Sequence, residues 1–509
     1  MGAKSVRAKV RACLLTLAVL AGGLSMPVPA QATDSLPGWL HTSGSSIKTA
    51  TNTTYVIKAI AWFGMETSTC APHGLWQISV DAGLKKIAGM GFNTVRLPFA
   101  NECLAASATS SIDTGKNPAL AGKSPLQVMD YLVTRARANG LNVILDRHRP
   151  DTGGQSALWY TDRYSEATWI ADWRMLAKRY RSQSNVIGFD LHNEPHGEAC
   201  WGCGTRSIDW RLAAQRAGNA VLAVNPRLLI IVEGVERQST GTPYIWWGGG
   251  LAGVAAKPVK LAVARRVVYS PHDYPSTIYN QPWFSASDYP KNLTRQWDTN
   301  WGFIDKSGVA PILIGEFGTK LETTSDKKWL RAMVGYIKKN GMSFAYWSFN
   351  PNSGDTGGLV KDDWVTKQSL KLSYLAPILG KPVTVTTDPK PPTTPTGTPT
   401  SAPPTTTKTR LTARWMLQNS WQAGYVAEFE IVGGSATAES WQLSWPDATA
   451  TGIVNAWGMT CAVTAEHTIS CAGADWAKKI PPGQTFRVGL QVDSTTAPSN
   501  PPVYIVGNK

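Results

Sequence analysis

Two glutamates follow apolar runs directly in this sequence: Glu194 in His192-Asn193-Glu194-Pro195 and Glu316 in Gly315-Glu316-Phe317-Gly318, 122 positions apart. A pair of carboxyl groups can cleave a glycosidic bond when one gives a proton to the leaving oxygen and the other attacks or stabilises the anomeric carbon. Other apolar runs also end in polar or ring-bearing residues, at Arg96, Asp146-Arg147-His148, His272-Asp273-Tyr274 and Tyr346-Trp347. Two solvated loop glutamates would not sit in such company. Rival chemistries fit less well. His192 and His196 flank Glu194 at a spacing of four, but a zinc-protease helix needs its glutamate one place earlier, and Pro195 would break that helix. No metal is expected. Neither a G-x-S-x-G nucleophile elbow nor a GxGxxG nucleotide turn stands at these positions, so no cofactor is expected either.

These residues need a scaffold that gathers them. Eight β-rich runs recur: Tyr55 to Gly64, Phe92 to Phe99, Asn142 to His148, Val186 to Glu194, Leu228 to Val235, Val267 to Tyr274, Pro311 to Phe317 and Ser343 to Asn350. Helical stretches such as Leu126 to Asn139 and Trp169 to Tyr180 lie between them. Nearly continuous apolar strands alternating with helices indicate a parallel sheet buried on both faces. Eight of them predict an α/β fold of the (β/α)8 TIM-barrel type, whose functional groups cluster at the carboxyl ends of the strands. An open doubly wound sheet is the structural alternative.

The chain has 509 residues, more than one ordinary domain needs. Lys4, Arg7, Lys9 and Arg11 precede an apolar run from Ala12 to Leu24 and then Ala30-Gln31-Ala32, which reads as a signal peptide over residues 1–32. The apolar run is shorter than the ~20 residues a membrane span requires, so a secreted, extracellular protein with no membrane partner is expected. The formal charge of +15 falls to +11 without the leader, and no block of five basic residues suggests nucleic acid. From Lys381 to Lys408 the chain holds 8 prolines and 11 threonines, an extended linker. It separates a catalytic domain, residues 33–380, from residues 409–509, where short segments split by Gly, Pro and Asn predict an all-β sandwich.

Six cysteines remain beyond the leader, and an even number in an exported chain suggests three disulfides. Proximity favours Cys70 with Cys103, Cys200 with Cys203 and Cys461 with Cys471, among fifteen connectivities. Tryptophan, at 22 copies, outnumbers tyrosine at 15 and phenylalanine at 11. In the tail Trp421, Trp457 and Trp476 stand beside polar or turn residues and suit stacking on a polysaccharide, whereas Trp441 opens an alternating strand and suits the core. Trp246 and Trp247 fit either further sugar subsites or a cover over the barrel.

The first domain resembles family 5 glycoside hydrolases, near their bacterial endoglucanases. The motifs are Thr94-Val95-Arg96-Leu97-Pro98, Leu145-Asp146-Arg147-His148-Arg149-Pro150, His192-Asn193-Glu194-Pro195, Ser270-Pro271-His272-Asp273-Tyr274, Ile314-Gly315-Glu316-Phe317-Gly318 and Trp347-Ser348-Phe349-Asn350. The resemblance implies a retaining mechanism with Glu194 as general acid/base and Glu316 as nucleophile. It further implies that Arg96 and Tyr274 are partners of the nucleophile and that Asn193 contacts the sugar 2-hydroxyl. His148 and His272 would shape the subsite, with Trp347 as a platform. The tail resembles family 2 carbohydrate-binding modules, including Ile480-Pro481-Pro482-Gly483, which implies adsorption to cellulose through aromatic residues. The expectation is a monomeric, secreted endo-1,4-β-glucanase acting on cellulose or a related β-1,4-glucan. The alternatives are a retaining β-mannanase or xylanase of the same fold, or a non-catalytic cellulose-binding protein.

Overall fold

Eight short parallel strands form the first domain because their residues are apolar on both faces and are covered on both. The strands are β1 (Lys58–Ala61), β2 (Thr94–Ala100), β3 (Asn142–Arg149), β4 (Val186–Asp190), β5 (Leu229–Glu233), β6 (Val267–Ser270), β7 (Leu313–Phe317) and β8 (Ser343–Tyr346). The computed structural model describes residues 36–382, 408–409, 411–421, 424–474, 477–498 and 501–508. The leader and residues 383–407 of the linker lie outside them, and among the described residues no helix is long and apolar enough to cross a membrane.

The sheet runs β6-β5-β4-β3-β2-β1-β8-β7. Parallel bridges Tyr269↔Ile312 and His272↔Glu316 join β6 to β7 and close the barrel, against the open-sheet alternative. Several strands are shorter than their apolar runs. β4 stops at Asp190 rather than Glu194, β6 at Ser270 rather than Tyr274, and β8 at Tyr346 rather than Asn350. The remaining residues of each run leave the ladder and form the rim, which is how polar side chains come to face the mouth.

The helices are set by local signals. Ser124 and Gln127 form a reciprocal capping box at the start of α1 (Pro125–Ala138), whose Val128, Met129, Leu132, Val133 and Ala136 are buried. Ser165 caps α2 (Glu166–Arg179) and Asp209 caps α3 (Trp210–Val224). The tryptophan excess finds its first explanation in these helices. Trp169 and Trp173 of α2 donate their indole N–H groups to the Leu191 carbonyl at 2.9 and 3.1 Å, and Trp210 of α3 donates to the Glu233 carbonyl at 2.8 Å. Strand-end carbonyls that no neighbouring strand satisfies are thus bonded inside the apolar layer beneath the mouth.

The second domain is two antiparallel sheets. One orders β9 (Thr412–Trp421), β10 (Gly424–Val432), β15 (Thr485–Ser494) and β12 (Ala450–Trp457). The other orders Lys408–Thr409, β16 (Tyr504–Asn508), β11 (Ser440–Pro446), β14 (Thr468–Gly473) and β13 (Met459–Val463). Thr464 to His467 turn the chain between β13 and β14, with His467 in the left-handed region at φ 51°. Cys461 and Cys471 face each other across that hairpin and are joined. Cys70 is joined to Cys103 and Cys200 to Cys203 in the barrel.

Candidate active site

Arg96 rises from β2 into the centre of the mouth, fully buried, and its guanidinium organises the carboxylates around it. Nε donates to Asp190 at 3.0 Å, Nη1 to Glu316 at 2.5 Å, and Nη2 to the Asn193 side-chain oxygen at 3.0 Å. Nη2 also lies 3.1 Å from Asp146 and 3.2 Å from Glu233. Burial opposes its charge, but Asp146, Asp190, Glu316 and Glu233 more than offset this and hold Arg96 well above its ordinary value. The acids are raised as well, which for them favours the neutral form. Burial pushes Asp146 up to about 7 and Asp190 up to about 6 against the pull of Arg96, and raises Glu233 well above the usual carboxylate range.

The two predicted glutamates meet here. An oxygen of Glu194, an oxygen of Glu316 and a ring nitrogen of His272 all lie within 4.8 Å of one another. Glu316 accepts from Arg96 at one oxygen and from the Tyr274 hydroxyl at 2.7 Å at the other. Glu194 instead faces His272, whose Nδ1 lies 3.0 Å from Oε1. Burial alone would lower the His272 value; Glu233 and Glu316 reverse that, and the ring is held well above its ordinary value as a cation. Asn193 presents a side-chain N–H group, Nδ2, with no partner within the protein. His148 is buried and pushed down to about 3, so its neutral ring donates from Nδ1 to Asp146 at 2.7 Å.

Aromatic rings wall the mouth. Trp347 is half-buried and lies nearly parallel to both His148 and Phe63, at interplanar angles of 9° and 11°. Trp247 is 44% exposed and stacks on His196 with ring centres 3.8 Å apart. Its neighbour Trp246 is buried and donates to Asp273 at 3.0 Å, so the pair divides between rim and core.

Residues 50–353 match the family model "Cellulase (glycosyl hydrolase family 5)". The chain belongs to glycosyl hydrolase family 5. Its relatives include an endoglucanase of Paenibacillus polymyxa, 50% identical over 361 residues that cover 70% of this chain and 90% of that protein. The major extracellular endoglucanase of Xanthomonas campestris is 40% identical over 330 residues, 64% of this chain and 68% of that one. Its solved catalytic domain superposes with a TM-score of 0.64 at 38% identity, over 67% of this chain and 99% of that one. A hyperthermophilic endocellulase of Pyrococcus horikoshii gives 0.63 at 37% identity, with the same coverage. Residues 411–509 match the model "Cellulose binding domain".

Reading the sequence alone overlooked Asp190 and Glu233 in this family-5 site. Both end strands, β4 and β5, but each is followed by more apolar or glycine residues that made the run look longer. His192, in contrast, takes no part: it is buried, burial pushes it well below its ordinary value, and Arg147 binds its Nδ1 at 2.7 Å. The acidic group Asp146, Asp190 and Glu233 has metal-like spacing. Its positive charge comes from Arg96, within 3.2 Å of all three. In the sandwich Trp441 and Trp445 are core, and Trp457 is half-buried with its ring lying over Gly489 of the neighbouring strand, where a Cβ would collide with it. The Trp421 side chain and Trp476 lie outside the described residues.

Proposed function

We propose that this family-5 enzyme is a secreted endo-1,4-β-glucanase that hydrolyses cellulose with retention of anomeric configuration. The observation that carries the reading is the approach of Glu194 and Glu316 to within 4.8 Å. A retaining pair of carboxyl groups stands about 5–5.5 Å apart, whereas an inverting pair needs about 6.5–9.5 Å to admit water. Glu316, gripped by Arg96 and Tyr274, is the nucleophile. Glu194, free of any guanidinium, protonates the leaving oxygen and then activates water. The Asn193 N–H binds the sugar 2-hydroxyl, His148 and His272 shape the subsite, and Trp347 lies under the ring at the point of cleavage.

The leader over residues 1–32 directs export, the catalytic domain occupies 33–380, and the Pro/Thr linker over 381–408 tethers a cellulose-binding sandwich over 409–509. Trp421, Trp457 and Trp476 form its binding strip. Endoglucanase action in the named relatives supports the substrate. The test is viscosity and reducing-sugar release on carboxymethyl cellulose beside mannan and xylan, with Glu316→Gln as the blank. Rapid viscosity loss on the cellulose derivative alone, abolished in the variant, is the expected result. Activity chiefly on mannan or xylan would overturn the substrate, and none on any polymer would overturn catalysis.

A further inference from the structure

Glu233 closes β5 at the floor of the site, is fully buried, and touches both halves of the catalytic machinery. Its Oε2 accepts the backbone N–H of Glu194 at 2.7 Å. Its Oε1 accepts from Arg96 Nη2 at 3.2 Å and lies 3.3 Å from His272 Nε2. Its own carbonyl is held by Trp210. Asp146 and Asp190 face it from β3 and β4.

What it holds needs holding. Glu194 sits in the left-handed region at φ 54°, a conformation that a non-glycine residue keeps only where its surroundings enforce it. The enforcing bonds fall on the two sides of that residue: Glu233 takes its N–H, and His196 Nδ1–H donates to its carbonyl at 2.7 Å. Gly248 leaves room for this arrangement. A Cβ there would come 2.6 Å from Glu233 Oε2 and 3.3 Å from the Glu194 Cα.

We propose that Glu233 is a positioning residue for the acid/base: one carboxylate fixes the Glu194 backbone and steadies His272, the ring that faces the Glu194 side chain. Glu316 has its own hold through Arg96 Nη1 and Tyr274, and Arg96, though it also meets Glu233, keeps Asp146 and Asp190 as partners when Glu233 is changed. Proton transfer to the leaving group therefore depends on Glu233 more than nucleophilic attack does. The inference rests on the acid/base assignment of Glu194 made above.

Two substrates separate these steps. Cellotetraose needs a proton on its leaving oxygen, whereas 2,4-dinitrophenyl β-cellobioside does not, and added azide can replace the activated water in the second step. Full-length Glu233→Gln should lose about 100-fold in kcat on cellotetraose, the scale of a ~1 Å misplacement, with KM within about 3-fold. On the dinitrophenyl substrate with azide it should lose less than about 5-fold. The shorter Glu233→Asp should fall between, with the same selectivity, and carries the test if Glu233→Gln does not fold. Equal losses on both substrates, or no loss on either, would overturn the proposal. Glu194→Gln run alongside separates the two readings: if it lacks leaving-group dependence, the acid/base assignment itself falls. If it shows that dependence and the Glu233 variants do not, only the positioning role falls.

Discussion

Asp273 stands between His272 and Tyr274, and replacing it should loosen the site without touching any sugar-facing group. Its Oδ1 accepts from Trp329 Nε1 at 2.8 Å, and its Oδ2 from Trp246 and Trp297 Nε1 at 3.0 Å each. All three indoles are buried, and the Asp273 backbone N–H donates to the Glu316 carbonyl at 3.1 Å. An unsatisfied buried donor costs about 1–3 kcal/mol. Asp273→Asn keeps one carbonyl oxygen but turns an amide toward at least one indole, so about 1–3 kcal/mol should be lost. Asp273→Ala strands all three donors, about 3–9 kcal/mol before relaxation, which approaches the whole stability of an ordinary domain. At roughly 2 °C per kcal/mol for a barrel of this size, Asn should lower Tm by about 2–6 °C and Ala by more. Calorimetry gives the Tm, and initial rates on soluble carboxymethyl cellulose report displacement of His272 and Tyr274, on the order of 100-fold for ~1 Å. A Tm for Asp273→Ala within about 1 °C of the parent, with an unchanged rate, would refute the idea that the carboxyl group anchors this rim.

Gly83 lies inside the helix Val80–Ala88, where alanine would ordinarily stabilise by about 0.5–1 kcal/mol. A Cβ there would collide with the Trp62 ring, so Gly83→Ala should instead destabilise by about 1–3 kcal/mol in denaturant titrations. In the sandwich, Trp457→Ala should weaken adsorption to insoluble cellulose about 5- to 30-fold, the loss of about 1–2 kcal/mol from one ring face. Rates on a soluble substrate should not change, because tethering acts only through local concentration at a solid surface.

The sequence determined the elements and most of the site's membership. Apolar runs of strand length, punctuated by capped helices, are local signals, and a barrel of eight parallel strands must bring their carboxyl ends together. Glu194 and Glu316 are therefore paired by the sequence itself across 122 residues. Tertiary structure alone decided what surrounds each charge. Arg96 collects partners from β3, β4, β5 and β7, and no spacing along the chain foretells that Glu233 will reach the Glu194 N–H. The tryptophans carry the same lesson. Their abundance suggested sugar stacking, yet among the described residues ten are almost wholly buried, and several spend their N–H groups on strand-end carbonyls or on Asp273. An indole is a large apolar surface with one donor, and only the packed neighbourhood fixes whether it meets a polysaccharide or the protein's own interior.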